Sequence, residues 1–81
     1  MFKIVGILID GNGNALSGSS VNVTGPGIDI SVYCNNVGGY ILPGLANGTY
    51  VVTPTLGGHT FSPLNQTVII NGSNVYGINF N

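Results

Sequence analysis

Apolar residues in this chain of 81 residues recur at every second position, in short runs cut by clusters of Gly, Asn and Pro. A period of two is the signature of a strand with one buried face, and no window repeats apolar residues at the helical period with caps. Turn clusters divide the chain into seven strands, at residues 3–10, 19–24, 28–34, 40–42, 49–55, 66–70 and 75–80. Asn71 and Gly72 between the last two read as a two-residue hairpin. Val, Ile and Thr number 24, and β-branched residues favour strands. Regularly spaced strands with no helix predict a single all-β domain over residues 1–81, a seven-stranded antiparallel β-sandwich.

The surface expected of such a domain is unusual. Only Lys3, Asp10 and Asp29 carry charge, 4% of residues where about 25% is usual. A net charge of -1 without Arg lacks the electrostatic footprint of a nucleic-acid binder or of polybasic attachment to membranes. Low charge accompanies disorder when hydrophobicity is also low, but 43% of these residues are hydrophobic. No aliphatic run exceeds the three residues found at 7–9, far too short to cross a bilayer. Met1, Phe2, Lys3 and Ile4 do not begin a secretory signal, so the chain reads as a free-standing module behind its own Met1. The single cysteine, Cys34, reads as a small buried hydrophobe.

Several stretches resemble carboxypeptidase regulatory-like domains. Ile4, Val5 and Gly6 leading to residues 10–13, then Leu16, Ser17 and Gly18, are similar to the opening of that family. Residues 44–50 (GLANGTY), 61–63 (FSP), 66–68 (QTV) and 74–80 continue the likeness over almost the whole chain. The resemblance implies a prealbumin-like or immunoglobulin-like (Ig-like) sandwich, usually a non-catalytic module of bacterial surface and secreted proteins. It implies no catalytic residues.

Asp10, Asn12 and Asn14 match the start of a calcium loop, but Ala15 and Val21 stand where such a loop needs Gly and Glu, so a turn is expected. His59 has only Cys34, Asp10 and Asp29 as distant co-ligands, and a packing role is expected. Lys3 and Asn79 are the pair that an isopeptide bond would join, although no Glu is present to assist, and an edge-protecting Lys is the simpler reading. The Asn-x-Ser/Thr sequences at Asn22, Asn47, Asn65 and Asn71 follow from composition, and Leu16 breaks the only phosphate-cradling glycine pattern. The expectation is a protein that is not an enzyme, with no metal, cofactor or small-molecule substrate.

The distribution of apolar residues carries the functional reading. Aligned to the resembling family, Ile4, Leu8, Val21, Val23, Val32, Leu42, Tyr50, Val52, Val68, Ile70, Ile78 and Phe80 point inward. Positions expected to face solvent nonetheless hold Val5, Ile7, Ile9, Ile41 and Ile69, with Tyr33 and Tyr76 adding aromatic surface. A first strand apolar on both faces needs cover on both, which a two-layered domain cannot supply alone. These seven residues are therefore the expected interface. The partner expected is the major capsid protein or another assembly subunit, met in many symmetric copies, with no nucleic acid and no membrane. A bacteriophage capsid decoration or cement protein on the virion surface fits this best. The alternatives are an extracellular or cell-surface Ig-like repeat module and a carbohydrate-binding module stacking sugars on Tyr33, Tyr76 or His59.

Overall fold

A computed structural model covers residues 1–81 and contains no helix. Six strands form: β1 (Phe2–Ile7), β2 (Ser20–Gly25), β3 (Ile28–Tyr33), β4 (Gly39–Leu45), β5 (Gly48–Thr55) and β6 (Gln66–Ile70). One sheet pairs β1 with β4, the other has the order β3-β2-β5-β6, and every ladder is antiparallel. The alternation in sequence becomes alternation in burial. In β5, Tyr50, Val52 and Pro54 are buried, while the residues between them lie towards solvent.

Both sheets contribute to one core. Ile4, Leu8, Leu42 and Leu45 of the β1–β4 side join Val21, Val23, Tyr50, Val52, Val68 and Ile70 of the other sheet, together with Phe61 and Phe80. Ten of the twelve residues expected inside are buried, and Val32 and Ile78 are partly buried against them. Cys34 is buried as expected, its thiol donating to the Leu16 carbonyl at 3.2 Å.

The seventh expected strand, residues 75–80, is not a regular strand. It runs parallel to β1, with Val75 opposite Ile4 and Phe80 opposite Leu8. Five steps along this segment thus match four along β1, which is the geometry of a one-residue bulge. Gly77, at φ +76°, supplies the left-handed turn that absorbs the extra residue. The bulge leaves no backbone carbonyl for the Ile7 N–H, and the Asn79 side chain accepts it instead at 3.0 Å. Asn74 does the same for the Lys3 N–H at 2.9 Å.

Two turn signals and one strand end resolve differently from their sequence reading. Asn71 and Gly72 form no hairpin, because the chain leaves β6 and crosses to β1, with the Gly72 N–H donating to the Asn47 side chain at 2.8 Å. Pro43 and Gly44 do not stop β4. They form an irregularity within it, since Leu45 still pairs with Phe2 while Leu42 pairs with Ile4. The first strand ends at Ile7 rather than residue 10, and beyond it only single bridges from Leu8 and Ile9 continue.

Candidate functional site

The β1–β4 sheet turns Ile4, Gly6 and Leu8 inward, so Val5 and Ile7 face the opposite way. Val5 lies directly across from Ile41, and Ile7 across from Gly39. On the other flank of β1, the Val5 N–H donates to the Val75 carbonyl at 2.9 Å, which brings Tyr76 alongside Val5. Strict alternation would turn Tyr76 to the same side as Ile78 and Phe80. The bulge at Gly77 breaks that phase, so Val75 packs on the core and Tyr76 turns outward. The result is an apolar row across three neighbouring segments, Ile41, Val5 and Tyr76, extended along β1 by Ile7.

Tyr33, the last residue of β3, extends this row. An open groove of about 410 Å³ is lined by Val5, Gly6, Tyr33, Asn35, Gly39, Tyr40 and Ile41. No charged side chain lines it. Exposure is 79% for Tyr33, 62% for Tyr76, 52% for Ile41 and 39% for Ile7, so the aromatic rings supply more of the free surface than the aliphatic side chains. Val5 is half-buried.

Of the other two expected interface residues, one lies at the end of this row and the other in the second sheet. Ile9 is half-buried beyond the end of β1, where it bridges Ala15 and donates its N–H to the Phe80 carbonyl at 3.2 Å. Ile69 is 68% exposed on β6, in the other sheet. Sequence periodicity assigns an inside and an outside to each strand but not which outsides adjoin, and these seven residues divide accordingly. Val37 and Leu64, exposed in loops, escaped a reading confined to strands.

Residues with chemical potential hold structural positions. The Asp10 carboxylate accepts the N–H groups of Asn12 and Asn14, each at 2.9 Å, closing the turn. The Asn14 N–H chiefly holds its pKa below 3.8; desolvation opposes this, and the Asn12 N–H reinforces it. Positive φ in that turn belongs to Gly13, while the Asn residues contribute hydrogen bonds. His59 packs edge-on against Phe61 with ring centroids 4.7 Å apart. Cys34, His59, Asp10 and Asp29 form no cluster of three. Asn79 sits beside Ile7, four residues or about 13 Å along β1 from Lys3, so the isopeptide pair is not brought together.

The outer face of the four-stranded sheet has a different character. Ser20, Asn22 and Thr24 of β2 alternate with buried valines, and Thr49, Thr53 and Thr55 lie beside them on β5. Asn22 donates its amide to the Asp29 carboxylate at 2.7 Å and to the Ser31 hydroxyl at 3.1 Å, across to β3. Around β2 this is a solvated hydroxyl and amide surface, while the exposed Ile69 lies at its β6 edge and Tyr33 at its β3 edge. No protein-family model matches the chain, and a search of curated proteins finds no match.

Proposed function

We propose that this chain is a non-catalytic structural module, an Ig-like or prealbumin-like β-sandwich, that decorates the shell of a bacteriophage virion in many copies. The carrying observation is the apolar row of Ile41, Val5, Ile7 and Tyr76 with Tyr33 beside it, on a protein with only three charged side chains. The sandwich reading rests on two sheets sharing one core. It is supported by Tyr50, whose hydroxyl donates to the Ala46 carbonyl four residues back at 2.7 Å, a bond of the kind that braces strand corners in Ig-like domains. The resemblance to carboxypeptidase regulatory-like domains belongs to the same proposal.

Magnitudes favour repetition over a single contact. Burying ~400 Å² of apolar surface at ~25 cal/mol per Å² is worth about 10 kcal/mol. Association costs ~4–15 kcal/mol, so one such contact is marginal. A shell lattice presents the same surface many times and lets each copy bridge neighbouring subunits, where each further contact is effectively intramolecular. The partner is the major capsid protein or another shell subunit, and the mechanism is passive burial of the apolar row at subunit junctions.

An antibody against the chain, applied to purified virions and to cell envelopes from the source culture, tests this reading. Label at regular spacing on intact shells is the expected result. Label confined to envelopes would replace it with a cell-surface module, and saturable binding of neutral polysaccharide lost in Tyr33→Ala would replace it with a carbohydrate-binding one.

A further inference from the structure

We infer that β6 is a second, separate contact surface, and that its C-terminal half pairs with β6 of another copy about a two-fold axis at Ile69. β6 is the outermost strand of its sheet and bonds only to β5, so alternate residues direct N–H and C=O groups away from the sheet. Such edges invite pairing unless they carry a charge, a proline or a bulge. The other free edges have these devices. β3 carries Asp29, and β4 is interrupted at Pro43 and Gly44. β1 is covered by residues 75–80.

β6 has none of them. Its sequence, QTVII, is uncharged and free of proline, with β-branched residues at four of five positions. Its ladder with β5 is regular from Gly48↔Ile70 to Val52↔Gln66. No charged residue occurs after Asp29, so nothing in this part of the chain repels a second copy of itself.

Geometry selects the register. At the start of β6 the Gln66 side chain donates to the Asn79 carbonyl at 2.7 Å, and Ser62 exchanges two backbone bonds with Asn81 nearby. Residues 67–71 lie beyond this obstruction. An antiparallel pair centred there sets Ile69 against its own copy, Val68 against Ile70, and Thr67 against Asn71. Ile69 then loses its exposure to a cross-strand β-branched partner. Val68 and Ile70 keep their places in the two cores, which join through a continuous sheet of eight strands. This surface does not depend on the row around Ile41, which it leaves free on both copies.

The native mass of the purified chain, measured over a range of concentrations, tests the inference. The expected species at high concentration is a dimer of the 8.3 kDa chain. Ile69→Lys places like charges face to face and should weaken the dimer more than tenfold without moving the thermal midpoint of the monomer. In a Cys34→Ser background, Ile69→Cys should oxidise to a symmetric disulfide. Residues opposite each other in an antiparallel pair have Cα atoms about 4.5–5.5 Å apart, within the range that a disulfide spans. Thr53→Cys, in the interior of the sheet, is the control. A wild-type monomer at all concentrations, a dimer indifferent to Ile69→Lys, or Ile69→Cys crosslinking no faster than Thr53→Cys would overturn the inference.

Discussion

The Tyr40 hydroxyl donates a hydrogen bond to the Ile78 carbonyl at 2.5 Å, joining β4 to a segment 38 residues further on. Between the two runs β1, where Gly6 is the register partner of Tyr40. A Cβ at Gly6 would collide with the Ile78 carbonyl and press on the Tyr40 hydroxyl. The missing side chain is what allows the tyrosine to reach under β1 and hold residues 75–80 in place. That segment carries Phe80 into the core and Tyr76 to the surface, so the bond links stability to the candidate interface.

Tyr40→Phe should therefore cost about 1–2 kcal/mol, the usual effect of leaving a buried acceptor unpaired. Gly6→Ala should cost about 3 kcal/mol or more, at the upper end of overpacking. Equilibrium unfolding in urea measures both.

Burial also raises the Tyr40 pKa far above the ordinary 10.0. The unfolded chain then loses this proton before the folded one does. The stability contribution is complete below pH 10 and declines as pH rises above it. Tyr40→Phe should remove this part of the alkaline decline, which unfolding curves taken between neutral and strongly alkaline pH will show.

Asp10 acts in the opposite direction. Its folded pKa lies below 3.8 because the Asn14 and Asn12 N–H groups bond the carboxylate. Its contribution is present above that value and is lost as pH falls through the lowered one. Asp10→Asn retains an acceptor oxygen without the titration, so the acid limb of the stability profile should flatten while neutral stability drops only slightly.

Cys34 should resist thiol reagents in the native state, because its sulfur is buried and bonded to the Leu16 carbonyl. Modification should follow the denaturation curve and be complete only where the chain is unfolded. Rapid labelling in native buffer would show that the loop at residues 8–19 opens locally.

How far the sequence discloses this arrangement depends on what sets each feature. Valines 21 and 23 and residues 66–70 read correctly because period-two burial is local to each strand. Residues 75–80 read as a strand for the same reason, yet the bulge at Gly77 depends on a match to β1 more than 60 positions away, which periodicity does not encode. Tyr40 and Phe61 joined the core unannounced, since Tyr40 needs the gap at Gly6 and Phe61 lies outside any strand. Of the candidate surface, Val5 and Ile41 were legible as outward apolar residues. Their union with Tyr33, and the separation of Ile69, follow from sheet order, which single-strand patterns leave open.

The central claim is that the row around Ile41 packs against a shell. The direct test is the number of copies per virion, by quantitative mass spectrometry, for the wild type and Ile41→Lys. Ile41 is exposed, so the substitution should leave the thermal midpoint of the isolated protein unchanged. The account predicts a fixed, high wild-type copy number and at least a tenfold fall for Ile41→Lys. Equal occupancy of the two, or absence of the wild type from purified virions, would contradict it.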